Sequence, residues 1–339
     1  MILLRPVEER DLDAIAEFGG TPGFINLPED PDLVHDRIVR SIRSFDTKHA
    51  VFSDNKFVFV AEDIGTKKII GTSMVASQHG TLQSPHFSFQ VASERTFSES
   101  INTGFIHGTL VLHTETDGPS EFGGLFVDPQ HRNTEYKVGR QLAFVTFLFM
   151  GCNTDRFKTE VLAELMPPLN KKGQSPLWEA IGRRFTNMDY WEADALCQQN
   201  KEFIFSLFPS GKIYTTFFSA EARNAIGKVG HDTQSVLHML KKIGFTYRSE
   251  VDPFDGGPHL RAEVKAITCI QAMRTAEVRW VDAEPAGALS GLISASYSSA
   301  FMVKAALQDG RLLCHSPLVQ ERLGHGKTVT FMPFYGSLE

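Results

Sequence analysis

The sequence predicts an α+β (mixed α/β) fold with a mostly antiparallel sheet, a helical insertion and a small C-terminal β-rich module. Three observations predict it. Apolar runs at 57–62 and 69–75 flank a turn containing Gly65, the pattern of a hairpin. Helical spacing in several pieces dominates 175–226. After Arg279, short strand patterns alternate with the turns Asp309-Gly310 and Gly324-His325-Gly326.

The elements follow in order. Residues 2–6 read as a strand, and 9–18 space their apolar side chains as a helix. The Gly- and Pro-rich stretch 19–31 reads as a loop, after which Leu33, Ile38 and Ile42 space a second helix. Beyond the hairpin come strand candidates at 87–91, 109–113 and 121–127. Residues 138–150 are apolar almost all round, which predicts a helix buried against the sheet. A buried strand at 161–166 precedes the insertion, whose pieces carry Trp178, Ile181 and Phe185, then Phe203, Ile204 and Leu207, then 220–226. An amphipathic helix at 236–243 stops at Gly244, and 245–247 starts a strand. The terminal strands are read at 292–296, 301–307 and 328–334.

At 339 residues the chain exceeds the usual size of one core, so two or three structural units are expected. Hydrophobic residues are 42 % and charged residues 22 %, which excludes a disordered or collagen-like chain. A net charge of −6 argues against a surface built to displace phosphate counterions, so no nucleic acid partner is expected. No apolar run approaches the roughly 20 residues of a bilayer span, and residues 1–6 lack a signal-peptide pattern. A cytoplasmic protein with no membrane partner is expected. Cys152, Cys197, Cys269 and Cys314 stand far apart with no CxxC pair, so reduced thiols and no metal are expected.

Leu240-Lys241-Lys242-Ile243-Gly244-Phe245 and the early element order resemble the Gcn5-related acyl-CoA N-acyltransferase superfamily. A more pointed set combines Arg5-Pro6-Val7, Ser120-Glu121, Leu125-Phe126-Val127-Asp128-Pro129, Ser175-Pro176-Leu177-Trp178, Met188-Asp189, Lys201-Glu202-Phe203-Ile204 and Phe254-Asp255-Gly256-Gly257-Pro258. In that order and spacing the chain resembles the arginine N-succinyltransferase family. The resemblance implies a Gcn5-related acyltransferase-like core, with its first part and coenzyme A site in 1–166 and its last helix and strands in 233–275. It makes 167–232 the helical insertion and 276–339 the β-rich module. The implied activity moves a succinyl group from succinyl-CoA, a cosubstrate with no tightly bound cofactor, to the α-amino group of arginine or ornithine in arginine catabolism. The implied partners are these small molecules and a homo- or hetero-oligomer with a paralogous subunit. A non-catalytic or regulatory subunit pairing with an active paralogue, or a changed acyl donor or amine acceptor, are the alternatives.

By resemblance, Leu125, Phe126 and Val127 meet the thioester and pantetheine through backbone N–H groups, which act as an oxyanion hole. Gly123-Gly124 before them suits a bulge or a close backbone approach. Pyrophosphate is expected between Arg132 and Gly139, at the start of the 138–150 helix. The loop departs from the superfamily pattern: only Gly139 remains of its glycines, Glu135 adds negative charge, and Arg132, Lys137 and Arg140 supply the cations. Two proton acceptors are candidates for the amine. Glu121 shares a strand face with Leu125 if no bulge intervenes. His231 stands one place after Gly230, the family's histidine position. A guanidinium requires carboxylates, and Asp189, Asp194, Asp252 and especially Asp255 supply them.

Overall fold

Strand and helix periodicities translate into fifteen strands and a set of mostly short helices among the described residues, which are 1–19, 31–48, 51–197, 202–296 and 298–338 of this computed structural model. In chain order the first strands are β1 Ile2–Pro6, β2 Lys56–Asp63, β3 Lys68–Ala76, β4 His86–Ser98, β5 Thr103–Glu115, β6 Ser120–Val127, β7 Glu160–Glu164 and β8 Ile213–Tyr214. They continue with β9 Thr246–Val251, β10 Pro258–Glu263, β11 Arg274–Trp280, β12 Leu289–Ser294, β13 Ala300–Gln308, β14 Arg311–Cys314 and β15 Thr328–Pro333. The helices used below are α1 Leu12–Gly19, α2 Pro31–Asp46, α3 Val138–Cys152, α4 Pro176–Ala180, α5 Gly182–Thr186, α6 Tyr190–Cys197, α7 Glu202–Leu207, α8 Ala220–Ala225 and α9 Gln234–Lys242. The loop expected at 19–31 lies almost wholly outside the described residues.

The chain divides into two compact units, one of residues 1–78, 120–161 and 262–339, the other of 79–119 and 162–261. In the first unit β6, β3, β2, β1 and β13 are neighbours in an antiparallel series. From β13 the ladder continues through β14, β11, β15 and β12 and returns to β13, so the C-terminal strands close into a five-stranded ring. Within it β11 and β14 pair in parallel. Closure removes the open edges that a short terminal sheet would expose. Helix α3 is apolar on every side because Leu142, Phe144, Val145, Phe147 and Leu148 are all buried. Each such side chain contributes roughly 1.5–3 kcal/mol of burial. Helix α2 instead buries one stripe, Val34 and Ile38, against Val58, Val60 and Met74.

In the second unit the strand order is β7, β10, β9, β4, β5, β8. The hairpin β4–β5 runs in register from His86 opposite Glu115 to Ser98 opposite Thr103. It is far longer than the two short strands read from the sequence. The buried Arg261 on β10 ties the sheet across its strands, donating to Glu115 of β5 at 2.5 Å and Glu250 of β9 at 2.8 Å. The insertion is locked to the β9–β10 turn by the indole of Trp178, stacked on Phe254 at 4.7 Å and donating to the Met188 carbonyl at 3.0 Å.

A buried triad fixes the start of the first unit. Arg5 on β1 grips Asp11 with two bonds of 2.7 and 2.9 Å and donates to Glu62 of β2 at 2.7 Å. Burial opposes the guanidinium charge, but the bonds to Asp11 and Glu62 outweigh it and raise its pKa. Removing the cation strands two buried carboxylates. Arg5→Met is therefore expected to lower unfolding free energy by about 3–5 kcal/mol, read from the denaturant midpoint, whereas Arg10→Met at the exposed rim should change it by under about 1 kcal/mol.

Candidate active site

Strand β6 carries one residue more than β3 between two points of register: Met74 faces Gly123, yet Thr72 faces Phe126. A bulge results at Gly123–Gly124. Gly124 takes φ +57°, and a Cβ there would lie 3.1 Å from the Cβ of Met74, so the backbone favours glycine and any side chain would have to push Met74 aside. The regular alternation that would set Glu121 and Leu125 on one face is interrupted between them. The bulge opens beside a small cavity of about 20 Å³ lined by Ile15, Val34, Arg37, Thr72, Met74 and Gly124.

Beyond β6, Asp128 accepts from the Gln130 N–H at 2.9 Å and turns the chain through Pro129–His131. Arg132 donates to the Val127 carbonyl at 2.8 Å, with its guanidinium over the Phe126 ring at 5.5 Å. It therefore holds the end of β6 while remaining exposed. Lys137 is left-handed at φ +49° and precedes α3 without capping it by its side chain. Its carbonyl accepts from the N–H groups of Arg140 and Gln141 at 2.9 and 3.2 Å, so an anion at this helix N-terminus would meet the amides of Val138 and Gly139, over which Lys137 places no side-chain cap. Arg140 lies over the rings of Phe334 and Tyr335 at 5.7 and 5.2 Å. Glu135 is exposed.

Glu121 has a partner that sequence reading missed. Arg37 of α2 is pushed down in pKa by burial, and the charge of Glu121 opposes that shift. Arg37 is one of three arginines on α2, with Arg40 and Arg43, and nothing in the sequence pattern singles it out. Glu121 also lies near the bulge, since a Cβ on Gly123 would be 3.5 Å from its Oε1.

The second unit builds an acidic cluster around the β9–β10 turn. Asp252 Oδ1 accepts from the N–H groups of Phe254 and Asp255 at 2.6 and 3.1 Å, and Asp255 Oδ1 accepts from Gly257 at 2.7 Å. Ser175, the N-cap of α4, donates to the Asp255 carbonyl at 3.1 Å. The Asp255 carboxyl is pushed well above the usual carboxylate range by removal from water, then by the charges of Asp252, Glu164 and Asp194, against the Gly257 bond. Buried Tyr190 of α6 is raised by burial and by Asp255, Asp194 and Asp252. Among the four expected acids, Asp189 is exposed and pairs with Arg183, while Asp194, Asp252 and Asp255 act on the same surroundings. Glu164 joins them unforeseen, because it ends a strand far away in sequence.

His231 is fully exposed, with Nδ1 3.2 Å from Asp232 Oδ1. A Cβ on Gly230 would meet the Pro167 carbonyl oxygen at 2.8 Å, so the preceding position is closed to a side chain in this loop. Asp255 and His231 thus stand in different surroundings, one part-buried among acids and the other in solvent.

Comparison with known proteins places these observations. Residues 2–269 match the family described as arginine N-succinyltransferase beta subunit. An arginine N-succinyltransferase of Citrobacter koseri is 34 % identical over 289 residues, covering 84 % of this chain and 82 % of that protein. One of Escherichia coli is 34 % identical over 281 residues, covering 82 % of this chain and 80 % of that protein. The solved arginine/ornithine succinyltransferase subunit AI of Pseudomonas aeruginosa superposes with a TM-score of 0.84 at 23 % identity, over 99 % of both chains.

The bulge is testable by itself. Gly124→Val forces a β-branched side chain into positive φ against Met74 and is expected to cost roughly 1–3 kcal/mol of stability. Gly65→Val, in an open turn with only Asp63 nearby, should cost less in the same denaturant titration.

Proposed function

The chain belongs to the arginine N-succinyltransferase family, an α+β fold with a Gcn5-related acyl-CoA N-acyltransferase-like core, and from that premise we propose that it transfers succinyl from succinyl-CoA to the α-amino nitrogen of arginine or ornithine. The observation that carries the reading is the bulged strand β6 running through the Arg132 loop into the N-terminus of α3. That sequence of elements supports a thioester along Leu125, Phe126 and Val127 and a pyrophosphate near Gly139, with Arg132 and Arg140 flanking it. Arginine catabolism is the proposed setting. No helix of the described residues is long and apolar enough to cross a membrane, and the proposed location is the cytoplasm.

Transfer requires the amine to attack the thioester carbonyl carbon, so the C–N bond forms as the C–S bond breaks and the thiolate leaves. An α-ammonium titrates near ~8 and must first lose a proton. Glu121 and His231 are the proposed acceptors, and they are unequally equipped. Glu121 lies by the bulge with Arg37 to hold it, whereas His231 needs substrate to come to an exposed loop. On the acceptor side, Asp255 is the proposed binding residue. Carboxylates crowded out of water lower their mutual repulsion when a cation enters, and a guanidinium offers five donors in a fork that suits them.

In this reading 1–166 and 233–275 form the transferring core, 167–232 the insertion that shapes the acceptor side, and 276–339 an accessory β module. Assembly with itself or with a paralogous subunit is also proposed. The exposed apolar side chains Phe97, Ile101, Phe105 and Ile106 near the β4–β5 tip support it, since such a row is seldom left in water.

Thiol release from succinyl-CoA, with and without arginine, tests the activity: release only with an amine supports it, and coenzyme A binding with no turnover in any amine moves the chain to the companion-subunit class. Glu121→Gln is expected to lower kcat roughly 100-fold or more, and His231→Ala by less than about tenfold. Asp255→Asn is expected to raise KM for arginine at least about tenfold while KM for succinyl-CoA stays within twofold, from steady-state kinetics with each substrate varied in turn.

A further inference from the structure

Three histidines and one carboxylate converge inside the second unit, beside the β9–β10 turn and at residues that none of the motifs of the family resemblance includes. Glu164 ends β7, His259 is the second residue of β10, His86 opens β4, and His79 lies in the segment before it. These positions are distant in sequence, so no spacing pattern announces them. In the fold, Oε1 of Glu164 lies 3.6 Å from Nδ1 of His86, 3.6 Å from Nε2 of His259 and 4.0 Å from Nε2 of His79. The His86 ring is 4.8 Å from that of His79 and 5.2 Å from that of His259, centroid to centroid. His259 and His86 are 0 and 2 % exposed, and the side chains of His79 and Glu164 are 21 and 32 % exposed.

Those separations are informative. A direct N–H···O bond spans about 2.7–3.2 Å, and all three are longer. Four donors placed about 2.0–2.1 Å from a tetrahedral ion lie about 3.3–3.4 Å apart, so the Glu164 oxygen stands within roughly 0.3–0.7 Å of that spacing from each imidazole. The imidazoles fall into two groups that share Glu164, one with His79 and His86 and one with His259 and Asp252, so side-chain rotation must bring His259 and the other two rings onto one ion. Three imidazoles and one carboxylate form a nitrogen-rich donor set. It suits zinc and its first-row neighbours rather than magnesium or calcium, which take oxygen. Asp252 groups with Glu164 and His259, its ligand atom within 4.8 Å of theirs, and adds the negative charge that outer partners of metal-bound histidine supply.

We propose that His79, His86, His259 and Glu164 bind one divalent transition-metal ion of the zinc class, which clamps the ends of β4, β7 and β10 together. Four protein donors close the coordination sphere, so the ion is structural and the acyl transfer takes no step through it. The site does not depend on which amine is acylated.

The test uses the full chain, stripped with chelator and titrated with cobalt(II), then zinc(II). One equivalent of cobalt is expected to bind with the intense visible bands of four-coordinate cobalt, and zinc is expected to abolish them. Zinc should also raise the melting temperature, because a ligand that binds only the folded state stabilises it. His86→Ala and His259→Ala should remove the bands. Should either fail to fold, His79→Ala and Glu164→Gln alter the more exposed ligands and should weaken cobalt binding at least about tenfold. His113→Ala, exposed on β5, should leave the spectrum unchanged. The proposal is overturned if the parent shows only the weak bands of six-coordinate cobalt, if no stoichiometric ion binds, or if His79→Ala and Glu164→Gln bind cobalt as the parent does.

Discussion

One extra residue in β6 is the constraint on which the first unit's site depends. An antiparallel ladder pairs each residue with one opposite, and an added residue must bend the strand and break the local pairing. Gly123–Gly124 absorbs that residue opposite Met74 and Thr72, with Gly124 in a left-handed conformation that side chains seldom adopt. Around this break the structure arranges its supports: the Phe18 ring lies 4.7 Å from Phe126, Arg132 holds the Val127 carbonyl, and Arg37 faces Glu121. Helix α3, buried on all sides, then provides a rigid start for the next element.

The second unit solves a different problem, how to keep several acids together out of water. Its β9–β10 turn spends backbone N–H groups on the side chains of Asp252 and Asp255, and the insertion reaches the same turn through Ser175 and Trp178. Hydrogen bonds to the charged form favour it, while burial and like charges oppose it; at Asp255 burial and repulsion win. Entry of a cation would relieve that repulsion, which is the physical basis of both proposals made for this turn.

Legibility followed the reach of each physical signal. Strands β1, β2 and β3 and helices α2 and α3 were read close to their observed bounds, because apolar periodicity there reflects burial against a core. The hairpin β4–β5 was read as two short pieces because its distal half, from Gln90 to Ser98, is mostly solvated and alternates little. Strands β11 and β14 were missed, as were the whole of β10 and the two-residue β8. The first two owe their strand state to neighbours in the five-stranded ring, and β10 follows a turn whose chemistry masked it. Cys269 and Cys314 are buried, and burial raises their thiols to about 12.

By itself the sequence determined the family, the α+β class, the glycine pair able to bulge and the strand-loop-helix order around Leu125–Val127, since each is written in local pattern and motif order. Tertiary structure alone decided the partners. It set Arg37 against Glu121, drew Glu164 into the company of Asp255 and His259, left His231 in solvent and closed position 230 to a side chain. The reason is that periodicity reports which face of an element is buried, whereas charge pairing and ligand convergence depend on chain segments brought together from far apart.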